Sequence, residues 1–195
     1  KNGTPRLIND RITLSPTLVG FFVYVMMGRF LFVMKKILIV SVTAGQNLVL
    51  AKRIRELFEI KTEIISLEDF ELPLYTSKVK LENQTIINDL CEKVVNASGF
   101  VFCGPEYNGG SAPILTNAIT WISVTTDYWR EAFSNKIGLI ATHSGGNGSS
   151  FLSTFRQQLE FMGVVVFPRS IKVNKSKEFN AETSKKIIGR FEKLL

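Results

Sequence analysis

From Met34 to the C-terminus, short apolar runs of strand length alternate with longer segments whose apolar residues recur at helical spacing. Few architectures accept that pattern. "KILIVSV" (36–42) is rich in Ile and Val without polar alternation, as in a strand buried on both faces. The segment 46–59 places Leu48, Ala51, Ile54, Leu57 and Phe58 on one helical face. A second strand is predicted over 62–67, and a helix over 83–98 through Ile86, Ile87, Leu90, Val94 and Val95. "GFVFCG" (99–104) is a third strand, 112–123 a helix and 136–144 a fourth strand. A helix over 149–163 stops at Gly163, a fifth strand is predicted over 164–170, and a last helix closes the chain.

Five strands alternating with five helices give an α/β chain with a parallel sheet and helices on both faces. One unit of about 160 residues fits a flavodoxin-like three-layer sandwich, strand order 2-1-3-4-5, better than the longer dinucleotide-binding fold. In that order the switch point lies between strands 1 and 3, and ligands bind outside the carboxyl ends of the strands. Three loops converge there: "TAGQN" (43–47), "GPEYNGGSAP" (104–113) and "HSGGNGSS" (143–150).

Small, turn-forming residues dominate all three. The first loop runs straight into a helix, so its backbone N–H groups and the helix dipole suit a phosphate. Thr43 and Asn47 would add side-chain donors. An ordinary strand-to-helix turn with an Asn cap explains the same residues equally well. Neither G-x-x-x-x-G-K-[ST] nor G-x-G-x-x-G occurs, which argues against nucleoside triphosphates and the usual dinucleotide fingerprint. Pro105 restrains the second loop, while Gly109 and Gly110 let it turn closely. A flat ring can lie along such a backbone, with Ser144, Gly145 and Gly146 at its far edge. Together the loops describe a site for a planar heterocycle with a phosphate tail.

The segment "PEYNGGSAPILTNAITWIS" (105–123) resembles the P-E-Y-N-x-x-x-P-x-x-L-x-N-A-I-x-W-x-S signature of the NADPH-dependent FMN reductase family. The likeness extends through "THSGGNG" and covers roughly residues 35–195. It implies FMN at the three loops, with Pro105, Glu106, Tyr107, Asn108 and Gly109 in its ring loop. It also implies two-electron transfer from NADPH or NADH to flavin, quinone or a similar small acceptor, usually in a homodimer. Here "SVTAGQN" has no arginine and is more similar to the T-x-T-G-N-T loop of flavodoxins, so the phosphate rests on Thr43, Gly45, Gln46 and Asn47. No catalytic side chain is expected, because the flavin carries the reactivity. The alternative is a single-electron carrier of flavodoxin type, and a third class is a flavodoxin-like protein without flavin.

Composition fits this reading. With 195 residues, 45% apolar and 21% charged, the chain is a globular domain able to bury a core. Cys91 and Cys103 fit no metal or disulfide spacing, which implies a reducing, cytoplasmic setting. Of the net charge of +7, residues 1–33 hold +3, leaving +4 for the rest, where carriers are typically acidic. Residues 1–33 are read as an extension outside the domain, with a membrane anchor or a structured addition as the other readings. Arg29 interrupts their short apolar run. The expected partners are a small acceptor and a second copy of the chain, with no nucleic acid and no membrane. His143, the only histidine, is expected to be structural, and Cys103 a core residue. Trp121, Tyr128 and Trp129 suit a core, a subunit interface or a lid, and Lys172, Lys175 and Lys177 a solvated surface.

Overall fold

The computed structural model describes residues 35–81 and 83–195, so the reading of residues 1–33 as an extension falls outside the described residues. The chain runs β1 (Lys36–Ser41), α1 (Gln46–Arg55), β2 (Lys61–Ser66), a short 3₁₀ turn (Leu67–Phe70), α2 (Gln84–Val95) and β3 (Gly99–Cys103). A two-stranded hairpin follows, β4 (Glu106–Tyr107) and β5 (Gly110–Ser111), then α3 (Pro113–Thr125) and β6 (Ile137–His143). It ends with α4 (Ser149–Phe161), β7 (Val165–Val166), β8 (Ile171–Val173) and α5 (Ala181–Glu192).

The main sheet has the order β2-β1-β3-β6-β7, with β8 also on β6, and its pairs are parallel. This is the 2-1-3-4-5 order, with the fifth strand in two pieces. Period-two alternation divides the apolar side chains of the central strands between two cores. Leu38, Val40, Phe100, Phe102 and Ile140 face α2, α3 and α4, while Ile37, Ile39, Val101, Cys103, Leu139 and Ala141 face α1 and α5. Because helices cover both faces, β3 is buried throughout, which is why its sequence shows no polar alternation. Burying each large side chain, such as Phe100, Phe151 or Phe155, stabilises the fold by roughly 1.5–3 kcal/mol.

Two elements depart from expectation. Helix α1 ends at Arg55 rather than at residue 59, with Lys52, Arg53 and Arg55 stabilising its carboxyl end. Its buried face is Asn47, Leu50, Ala51 and Ile54, whereas Leu48 is half-buried and Leu57 and Phe58 pack from the turn beyond. The fifth strand, expected over 164–170, stops at Val166 and resumes at Ile171. Pro168 has no N–H for the ladder, so the pairing with β6 breaks around it. Arg156 of α4 takes up the loose carbonyls, donating from Nη1 to Val166 (3.3 Å) and from Nη2 to Phe167 (2.9 Å). Among the described residues no helix is long and apolar enough to cross a membrane.

One glycine controls how the chain leaves β3. A Cβ on Gly104 would stand 2.8 Å from Phe151 Cζ and 2.9 Å from Val42 Cγ2. Gly104→Ala is therefore expected to destabilise the protein by about 1–3 kcal/mol through overpacking, measured as a lower urea midpoint at unchanged slope.

Candidate functional site at the carboxyl edge of the sheet

The first loop is short, and its leading backbone donors are unclaimed. Ser41 Oγ donates to the Thr43 carbonyl (2.7 Å) and bends the chain as it leaves β1. Gly45 precedes α1 without any side-chain cap. The amides of Thr43, Ala44 and Gly45 find no acceptor among the described residues, and a Cβ on Gly45 would meet nothing within 4 Å. Free N–H groups thus stand in open space at the positive end of a helix. Gln46 is exposed beside them and Thr43 is half-buried.

Asn47 behaves differently from expectation. It is 3% exposed, its Nδ2 donates to the His143 carbonyl (3.0 Å), and its Oδ1 accepts from the His143 amide (2.9 Å). The side chain expected to reach a phosphate instead clamps the start of α1 to the end of β6. A buried amide must satisfy both of its polar ends, and one backbone unit does so here. His143 takes part in the clamp through its backbone.

The second loop is a hairpin. Glu106 pairs with Ser111 and Tyr107 with Gly110, leaving Asn108 (φ 49°) and Gly109 (φ 74°) as a two-residue turn. Two successive positive φ angles are what such a turn demands, and Asn-Gly is its strongest sequence signal. In the sequence this dipeptide lies within the loop 104–113, whose close turn is expected at Gly109 and Gly110. Tyr107, Asn108 and Gly109 are exposed at the tip, and Pro105 is buried at the base.

Glu106 joins this hairpin to the third loop. Its amide donates to Ser144 Oγ (2.8 Å), which shares a hydrogen bond with Thr142 Oγ1 (2.7 Å). Its Oε2 accepts from the amides of Ser150 (2.8 Å) and Phe151 (3.1 Å), the first turn of α4. Gly148, at the N-cap, offers no side chain, so a carboxylate from 44 residues away caps the helix and meets its positive end. Gly148 is itself required, since its φ is +63° and a Cβ would lie 2.7 Å from Thr142 Cγ2. Gly145 and Gly146 face open space, and their amides have no acceptor among the described residues.

Two residues of α3 fasten a fourth segment: Asn117, to which the sequence alone assigns no role, and Trp121, whose readings include the core. Asn117 Nδ2 donates to the carbonyls of Leu72 (3.3 Å) and Pro73 (3.0 Å), and its Oδ1 accepts from the Tyr75 amide (2.9 Å). Trp121 Nε1 donates to the Pro73 carbonyl (2.7 Å), and the Tyr75 ring stands edge-on to the indole at 5.1 Å. The N-A-I-x-W spacing puts both side chains on one face of α3, toward the chain that leaves the 3₁₀ turn. Trp121 is therefore buried and separate from Tyr128 and Trp129, which are exposed, with Trp129 5.8 Å from Phe161 and Arg130 above both rings. Burial pushes the Cys91 thiol up to about 11 and Cys103 higher still, so neither supplies a thiolate. Among the described residues no cluster of His, Cys, Asp or Glu could hold a metal.

The first and third loops therefore offer unclaimed amides and the positive end of α1, beside glycines of all three loops that face open space. That donor set fits a phosphate and the polar edge of a flat heterocycle.

A profile described as NADPH-dependent FMN reductase matches residues 34–178. A curated NAD(P)H-dependent FMN reductase of Schizosaccharomyces pombe is 33% identical over 76 residues, or 39% of this chain and 34% of that protein. The match thus spans about a third of that relative's length. Among solved structures, FerB, a flavoenzyme NAD(P)H:(acceptor) oxidoreductase from Paracoccus denitrificans, superposes with a TM-score of 0.65 at 19% identity, covering 82% of this chain and 94% of that one. EMOB, an NADH:FMN oxidoreductase in its apo form, superposes at 0.64 with 17% identity, covering 83% and 90%. A flavodoxin from the domain Archaea follows at 0.56 with 15% identity, covering 82% and 98%. The three structural likenesses, all below 20% identity, establish a flavodoxin-like fold.

Glu106→Ala is expected to cost about 1–2 kcal/mol of stability, because it uncaps α4 and frees the hairpin. Glu106→Gln, which keeps an acceptor without the charge, is expected to recover part of that loss in urea unfolding.

Proposed function

The chain belongs to the NADPH-dependent FMN reductase family, and from that premise we propose that residues 34–195 form an FMN-dependent NAD(P)H oxidoreductase passing two electrons to a flavin, quinone or similar acceptor. The observation that carries the reading is the set of unclaimed amides on the first and third loops, beside glycines of all three loops whose Cα positions face open space. When bound, FMN supplies the redox chemistry, taking hydride from the nicotinamide and giving two electrons onward.

The chain's part is to bind and orient. The phosphate would rest on the amides of Thr43, Gly45 and Gln46, the Thr43 hydroxyl and the positive end of α1, with no guanidinium in the loop. Asn47 holds this loop against β6 and acts on the phosphate by positioning. The hairpin residues Pro105, Tyr107, Asn108 and Gly109 would lie along the ring through their backbone, and Ser144, Gly145 and Gly146 would meet its polar edge. Glu106 keeps these two groups in register through Ser144 and α4. Oriented amides at that edge would stabilise negative charge on a bound ring, since their dipoles need no reorganisation when charge develops. Neither a general acid nor a metal is required of the protein. The enzyme is read as cytoplasmic and as working in a homodimer, with the acceptor taken up on the exposed face.

The purified protein is expected to be yellow or to quench the fluorescence of added FMN, and to prefer FMN to FAD. Without air, NADPH or NADH should bleach the bound flavin, and a quinone should restore its colour. A preparation that neither carries nor quenches FMN overturns the reading, and bleaching by a reduced protein but by neither nicotinamide replaces it with that of a carrier. Thr43→Ala is expected to weaken FMN binding by about 1.5–3 kcal/mol, the value of one charge-assisted hydrogen bond, as measured by fluorescence titration.

A further inference from the structure

Below the third loop the structure opens a second concave surface. A cleft of about 700 Å³ runs between α4 and the outer edge of the sheet, beside the break in the fifth strand. One wall is a stripe of α4 from Ser149 to Glu160. The other is formed by Arg169 and Ser170 of the break, Lys172 on β8 and Lys177 in the turn that follows. Four cations line it, and one is already engaged. Arg156 is held by the carbonyls of Val166 and Phe167 and lies 3.8 Å from Glu160, the one carboxylate that lines the cleft.

Arg169, Lys172 and Lys177 are exposed, and none forms an ion pair among the described residues. An exposed lysine on an edge strand guards that edge against further pairing, which accounts for Lys172 taken alone. It does not account for Arg169 on the break or Lys177 in a turn, nor for their convergence on one hollow. Three like charges on one concave wall repel one another, and an anion relieves that repulsion. Flanked by the hydroxyls of Ser149, Ser153 and Ser170, they match phosphate esters, which take several charge-assisted hydrogen bonds at once.

Position narrows the ligand. Ser149, at the top of the cleft, follows Gly148 directly, so the cleft begins where the glycine loop of the first site ends. A molecule whose reactive end lies at the three loops can continue down it. We propose that this cleft binds the phosphate groups on the adenosine half of the nicotinamide donor, with Arg169, Lys172 and Lys177 selecting the 2′-phosphorylated form. The proposal rests on the reductase reading and adds to it the place where donor specificity is set.

The test uses the full chain. Adenosine 2′,5′-bisphosphate is expected to bind in isothermal titration calorimetry, more weakly as ionic strength rises. The double variant Arg169→Ala, Lys172→Ala should lose about ten-fold or more in that affinity. Lys185→Ala, an exposed cation on α5, should lose nothing. In turnover the double variant should raise KM for NADPH while leaving kcat and KM for NADH in place. Absence of bisphosphate binding by the parent chain, equal affinity in the double variant, or an equal rise in KM for both nicotinamides overturns the cleft assignment. Those results leave the reductase reading standing if the protein still binds FMN and oxidises NADPH. A protein that oxidises neither nicotinamide overturns the reductase reading itself, and the donor assignment with it.

Discussion

The site depends first on the carboxylate of Glu106 at the start of α4. Three of the partners that organise the carboxyl edge meet there: the hairpin that carries the glutamate, the Thr142–Ser144 pair at the end of β6, and the first turn of the helix. Gly148 is held at positive φ against Thr142 and cannot cap the helix, so the charge has to come from elsewhere in the chain. The arrangement is reciprocal. The helix end holds the glutamate, and the glutamate holds the hairpin whose tip presents Tyr107, Asn108 and Gly109.

A second strut ties the first loop to the same strand. Asn47 and His143 are 96 residues apart, yet one side-chain amide answers both polar groups of one residue's backbone. With these two struts, one carboxylate and one side-chain amide hold all three loops in place. Their amides stay free for a ligand, at the ends of strands fixed by two apolar cores. A binding surface made of backbone suits a planar ring with a phosphate tail, because its donors are rigid and carry little conformational entropy to lose.

The signature segment distributes its roles more widely than its length suggests. Glu106 supports α4, Asn108 and Gly109 form the turn, and Asn117 and Trp121 fasten the strap around Pro73. Residues side by side in the sequence thus act on three different neighbours. Similarly, Pro168 breaks the fifth strand, Arg156 answers the loose carbonyls, and the same break places Arg169 beside Lys172 and Lys177.

Strand and helix order, the parallel sheet and the convergence of three loops were legible in the sequence. Those features follow from local periodicity and from the handedness of strand crossovers, which the chain encodes residue by residue. The hairpin was legible too, in Asn108–Gly109. What only the tertiary structure decided was the partner of each polar side chain. Asn47 has a donor and an acceptor suited to phosphate or to backbone alike, and burial against His143 chose the backbone. Glu106, within a motif read as a ring contact, caps a helix that begins 43 residues later. Arg169, Lys172 and Lys177 belong to a break, a strand and a turn, and become one surface only once β8 lies against β6. Local pattern determines which elements form; long-range hydrogen bonds and juxtaposed charges depend on which elements meet.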